Sequence, residues 1–175
     1  MNKLSRIGIA LLAMGITCVS AQLPHLPKVL VFGNFTYANP TGSTFSNGYN
    51  YGGGFEIGGG IGFKKTIVYV ASGNMKYNSH GNDANAVANG NVSVTPLKLG
   101  VRRYIFRSLF VNAAAGMAVQ SYEKNNTTGT NFLYEAGAGI KLLFLEFGAA
   151  YSGWQQPNSV SSGAFLFKAG FSFKI

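Results

Sequence analysis

Cysteine is almost missing from this chain: its 175 residues include one, Cys18, and that one lies in a leading stretch set apart below. From residue 22 onward no thiol is available for a disulfide, a nucleophile or a metal site. Charge is scarce too, with Asp, Glu, Lys and Arg at 11% against about 25% in ordinary soluble domains. Acids are rarer than bases, five against 14. Beyond residue 21 no apolar run approaches the roughly 20 residues that a membrane helix requires. What the chain does have is glycine, 24 residues, and aromatic side chains at 14%. Few charges, no hydrophobic helix, and abundant Gly and aromatics together point to transmembrane β-strands, whose hydropathy signal is weak per segment but repeats.

Residues 1–21 stand outside this pattern. Lys3 and Arg6 precede an apolar stretch from Ile7 to Val19, and Val19-Ser20-Ala21 makes a small-residue cleavage site before Gln22. That order is the one a secretory signal needs, and the run is too short to span as a helix. Thr17 and Gly15 do not suit a lipid-attachment motif at Cys18, so the expectation is cleavage after Ala21, with Cys18 lost. The remaining residues, 22–175, are long enough for one domain.

The last twelve residues, Ala164 to Ile175, carry the clearest signal. Phe165, Phe167, Ala169, Phe171, Phe173 and Ile175 alternate with Leu166, Lys168, Gly170, Ser172 and Lys174. Such alternation means a strand with one oily and one wet face, and its length fits the 9–11 or so residues of a tilted transmembrane strand. Lys168, Gly170, Phe173 and Ile175 also occupy the places of the C-terminal sorting signal of Gram-negative outer-membrane barrels, which this segment resembles. Ile175 stands where that signal more often ends in Phe. The resemblance implies insertion by the barrel-assembly machinery.

Upstream, seven more alternating segments follow the same plan. The first runs about Lys28 to Tyr37, then Ala38 to Asn50 reads as a loop. Phe55 to Phe63 forms the second, alternating with glycines, and Lys64-Lys65 turns it into a third. In that third strand Ile67, Tyr69, Ala71, Met75 and Tyr77 oppose Val68, Val70, Ser72, Asn74 and Lys76. Asn78 to Asn91 is a loop, Val92 to Tyr104 a fourth strand that Pro96 threatens to interrupt, and Ile105 to Ser108 a turn. Leu109 to Tyr122, Phe132 to Lys141 and Leu145 to Ser152 are the fifth to seventh strands. Glu123 to Asn131 and Trp154 to Gly163 are the remaining loops.

Eight strands with long and short connections in alternation predict an all-β fold, an eight-stranded antiparallel up-and-down transmembrane barrel. Closure removes the edges that lipid cannot satisfy. The pattern is similar to the small OmpA/OmpX-type barrels across residues 22–175, which places the short turns and both termini in the periplasm. A secreted lipocalin-like barrel would reverse the faces, oily inside and polar outside. The polar phase here is mostly Gly, Ala and Ser with a few charges, which suits a crowded lumen better than a water-facing surface.

Six charged residues fall on the phase opposite the aromatics: Glu56, Lys98, Arg102, Glu135, Glu146 and Lys168. Buried charges must pair, and three acids against three bases allow a complete network, as the OmpA resemblance also implies. The expected lumen is therefore a polar plug. Gly58-Gly59-Gly60-Ile61-Gly62 before Lys64-Lys65-Thr66 echoes a phosphate loop but precedes a strand where that motif requires a helix. His80, beside Ser79 and three residues before Asp83, reads as a loop histidine. No catalytic, metal or cofactor-binding residue emerges.

The formal net charge is +9 at pH 7, to which Lys3 and Arg6 add two. Lys28, Lys64, Lys65, Arg103, Arg107, Lys141 and Lys174 all map to the turn end, a basic rim suited to phospholipid headgroups or an acidic periplasmic partner. A pI near 9.8 commonly means nucleic acid, which does not suit an exported barrel. The expected partners are outer-membrane lipids, the assembly machinery and an external ligand at the loops, with no nucleic acid and a monomeric state. The expected role is structural or surface-interacting through four external loops. The alternatives are a narrow passive channel for small or apolar solutes and a lipid A-modifying enzyme.

Overall fold

Each alternating segment is a strand, because alternation lets one face meet the interior while the other meets a different solvent. The computed structural model describes residues 27–80, 89–124, 128–155 and 161–175. The leader and its expected cleavage site lie outside the described residues. The strands are β1 (Lys28–Thr41), β2 (Tyr49–Phe63), β3 (Thr66–Ser79), β4 (Val92–Tyr104), β5 (Leu109–Tyr122), β6 (Thr128–Leu142), β7 (Leu145–Gln155) and β8 (Ser161–Lys174), and a short helix, α1 (Ser43–Gly48), lies between β1 and β2. Every strand pairs with its sequence neighbours, and β1 with β8, in a closed antiparallel barrel. The closing seam runs from Leu30↔Lys174 to Thr41↔Gly163 and is extended by reciprocal backbone hydrogen bonds between Val29 and Ile175 at 2.8 and 3.0 Å.

Three short turns lie at the end where β1 starts and β8 finishes. Two of them are tight enough to hold a non-glycine residue at positive φ, Lys64 at 54° and Leu143 at 57°, as two-residue hairpins of right-handed twist demand. The outer face between the ends is apolar, with Phe35, Phe55, Ile57, Val70, Leu99, Phe167 and Phe171 all exposed. Aromatic residues cluster toward both margins of this band, Tyr37, Tyr51, Phe132 and Tyr134 on one side and Phe63, Phe106, Phe144 and Phe173 on the other. An outward apolar band between aromatic girdles is how a barrel matches a bilayer.

The interior departs from the small-residue lumen that composition suggests. Leu30, Phe32, Ile67, Tyr69, Ala71, Tyr104 and Phe110 form a buried apolar cluster toward the turn end. A second cluster around Phe45, Tyr49, Met75, Tyr77, Val94, Leu133, Trp154 and Leu166 fills the loop end. In β3 it is Val68 and Val70 that face outward, while Ile67, Tyr69 and Tyr77 point in. Aromatic rings fit the narrow lumen because glycines face them directly. Phe32 pairs with Gly58, Tyr69 with Gly100, and Phe110 with Gly139. A Cβ at any of the three would run into the opposing ring. In the run that echoed a phosphate loop, Gly58, Gly60 and Gly62 thus leave space for Phe32, Tyr69 and Ile67.

At the loop end the polarity of the wall inverts. Asn39, Lys76, Thr95, Ser121, Thr128 and Thr130 are exposed on the outside while the second apolar cluster lies within. That stretch is built like a water-soluble barrel, so the reversed arrangement excluded for the whole chain holds for its upper rim.

Strand ends differ from the sequence reading for related reasons. β1 continues through Ala38-Asn39-Pro40-Thr41 because these pair with Gly163–Leu166 of β8, although their composition reads as loop. β2 starts at Tyr49, β6 at Thr128, and β7 reaches past Trp154. Pro96 does not break β4. It sits opposite Ala118, and the β3 register is unchanged on either side of it, Ser72↔Leu97 and Met75↔Val94. Beside it Asn74 Nδ2 donates to Thr95 Oγ1 at 3.1 Å, a side-chain bond where the ladder loses an amide.

Candidate functional site

The inward phase of β2, β4, β6 and β8 brings four of the six expected lumen charges to one level of the barrel. Lys98 (β4) lies between Glu56 (β2) and Glu135 (β6) and pairs with both carboxylates. Lys168 (β8) closes the ring, reaching Glu135 at 2.7 Å and Glu56 at 3.2 Å. Two acids and two bases make a neutral, cyclic quartet, and Lys98, Glu56 and Glu135 are buried. In a low-dielectric interior such charges persist only with good partners, and here each has two.

The other two form a separate pair nearer the turns. Arg102 donates from Nη1 to Glu146 Oε2 at 2.7 Å and from Nη2 to Glu146 Oε1 at 2.9 Å, a bidentate fork. Its guanidinium carbon also lies 4.2 Å from the Phe110 ring centroid, 5.0 Å from Phe32 and 5.8 Å from Tyr69. This aromatic cage supplies cation–π attraction to the buried guanidinium. Parity alone could put all six residues on one phase. It could not divide them, because the division depends on position around and along the barrel. Asn34, Glu56, Tyr69, Arg102, Asn112 and Lys168 border a cavity of about 20 Å³ between the two groups, room for about one water molecule.

Above the quartet the lumen is mostly apolar, though Gln120, Asn131 and Ser162 are buried there too. α1 folds back so that Phe45 packs on Tyr49 at 4.9 Å, Trp154 at 5.1 Å and Tyr77 at 5.2 Å between ring centroids. Trp154 and Tyr77 are fully buried. Sequence reading put Phe45 and Trp154 in loops. The one usable signal was their chemistry, two large aromatics in otherwise Asn-, Gly- and Ser-rich segments.

The C-terminal residues are placed as follows. Lys168 belongs to the quartet. Gly170 faces β1, where a side chain would strike the backbone of Gly33 and Asn34. Phe173 and Ile175 are exposed on the outside. His80 sits at the base of its loop, its Nδ1 3.0 Å from Asn50 Nδ2 and its amide bonded to Gly48 O at 2.7 Å. Asp83 lies outside the described residues. Nearby, Lys76 and Glu123 pair at 3.7 Å and Asn91 donates to Glu123 at 2.7 Å, which ties the bases of two loops together. Among the described residues no group of His, Cys, Asp and Glu is arranged to hold a metal ion.

No protein-family model matches the chain, and no curated protein matches it. Solved structures do. The attachment invasion locus protein Ail of Yersinia pestis aligns over 85% of this chain and 100% of its own, with 15% identity and a TM-score of 0.56. Neisserial surface protein A aligns over 84% and 97%, with 13% identity and a TM-score of 0.61. The N-terminal barrel domain of Pseudomonas aeruginosa OprF aligns over 84% and 96%, with 18% identity and a TM-score of 0.52. The chain has the fold of small eight-stranded outer-membrane barrels of the OmpA/OmpX type.

Proposed function

We propose that this protein is an outer-membrane barrel with a lumen closed to solutes, acting structurally or by surface interaction through the loops at one end. The observation that carries the reading is the filled interior. The Arg102 aromatic cage, the charge quartet and the Phe45–Tyr77–Trp154 cluster succeed one another along the axis, so that among the described residues large or charged side chains fill the lumen at each level. Export with loss of residues 1–21 and monomeric insertion complete the proposal. The shared fold with Ail, an attachment invasion protein by name, and with a neisserial surface protein favours presentation of the loops outward.

The chemistry of the loop end narrows the ligand. Ail is also described in complex with a heparin analogue, sucrose octasulfate, yet the described loop-end residues here carry few charges, and Lys76 is paired with Glu123. Recognition by the amides and hydroxyls of Asn-, Ser- and Thr-rich loops suits this surface better than polyanion capture. Planar-bilayer recordings on refolded protein test the closed lumen. The expected result is no discrete conductance, and stepwise currents whose ion selectivity changes in Glu135→Gln would replace the plug with a channel.

A further inference from the structure

The turn end of the barrel has a surface unlike that of the other described residues. Lys64, Lys65, Arg103, Arg107 and Lys174 are exposed there, and Lys28 and Lys141 are half-buried beside them. Among the described residues the acid that accompanies them is Glu146, and Arg102 occupies both of its oxygens. The contacts these cations make leave their charge uncompensated. Lys28 Nζ donates to Lys64 O at 2.7 Å, Lys65 Nζ to Ile105 O at 3.4 Å, and Lys174 Nζ lies 4.3 Å from the Tyr104 ring. Carbonyls and a ring orient ammonium groups without neutralising them.

Large apolar side chains are interleaved with the cations. Phe106 is 69% exposed and Leu143 89%. The turn from Leu142 to Leu145 reads Leu-Leu-Phe-Leu with no polar side chain. Leu143 also holds a left-handed backbone, φ 57°, where Gly or Asn is the ordinary choice. Leucine at that position is unfavourable for the backbone and, in water, for the side chain, so solubility does not explain it. A membrane interface does. Apolar tips enter the acyl boundary while Lys and Arg reach the phosphates above them.

We infer that the ring of turns is a binding collar for anionic phospholipid, with lipid phosphates against Lys64, Lys65, Arg103 and Arg107 and acyl chains continuing onto the apolar belt. An acidic soluble macromolecule would meet the charge but leave Phe106 and the Leu142–Leu145 tip in water. The inference rests on the membrane reading and is separable from it, because headgroup preference is measured only on protein already inserted.

The test uses wild-type barrel in phosphatidylcholine bilayers with trace spin-labelled phosphatidylglycerol, phosphatidylethanolamine or phosphatidylcholine. Attraction of about fivefold per adjacent cation, averaged over the uncharged remainder of the lipid shell, should appear as roughly a twofold preference for phosphatidylglycerol. High salt should remove it, as should Lys64→Ser, Lys65→Ser, Arg103→Ser and Arg107→Ser combined. Lys76→Ser with Lys124→Ser, at the other end, should leave it unchanged. Absence of preference in inserted protein, or a preference indifferent to salt, overturns the collar, and the salt arm decides even where the fourfold variant does not insert. Binding of soluble polyglutamate without phosphatidylglycerol preference would reassign the surface to an acidic macromolecule. Failure to insert at all contradicts the membrane reading itself.

Discussion

Glu135 is shared by Lys98 and Lys168, and that sharing decides what its removal does. Glu135→Gln leaves a buried ammonium group, Lys98, and a part-buried one, Lys168, facing Glu56 alone. Loss of one member of a buried ionic group costs about 3–5 kcal/mol, less where water enters. Urea unfolding in lipid vesicles should therefore show a large loss of stability in Glu135→Gln and partial recovery when Lys98→Met is added. Arg102→Met should give no recovery, because its partner is Glu146. Equal rescue by either would mean that the six charges act as one diffuse network. Strand parity, a local property, put these residues on one face, and composition made that face the expected interior. The partition into quartet and pair was not legible, because Lys98 and Glu135 meet across the lumen and no local rule sets their relative height.

At the scale of elements, strand parity was readable wherever the two solvents differ most, in the membrane belt. It failed at the loop-end rim, where polar outward residues made β1, β6 and β7 look shorter than they are. It failed also for α1, six residues held by Phe45 packing with no side-chain cap at Gly42. β3 misled for another reason: Ile67, Tyr69 and Tyr77 look lipid-facing by type, but Val68 and Val70 are apolar as well, so hydropathy could not choose a face. β8 yields the prediction at this scale. Gly170→Asp confounds two effects, since any side chain there collides with the β1 backbone. Phe173 is exposed, and a charge near the interface costs about 0–1 kcal/mol if only lipid burial matters. Phe173→Asp should nevertheless lower membrane levels severely in cells while the refolded protein keeps nearly wild-type stability in vitro. Normal cellular levels would show that the resemblance of this segment to a sorting signal has no consequence.

The whole molecule joins two barrels end to end: a membrane section, oily outside and charged or caged within, and a short upper rim, polar outside and oily within. Composition averaged these into a single weak signal, which is why the fold and the charged plug were legible and the apolar filling of the interior was not. The central claim is that the exposed belt of Phe35, Ile57, Leu99, Phe167 and Phe171 faces lipid, and it is tested most directly by refolding residues 22–175 with and without amphiphile. With detergent or lipid the protein should fold, migrate anomalously on an unheated SDS gel and shift on boiling. Without amphiphile it should aggregate, whereas a monodisperse, β-rich monomer in plain buffer would contradict the account.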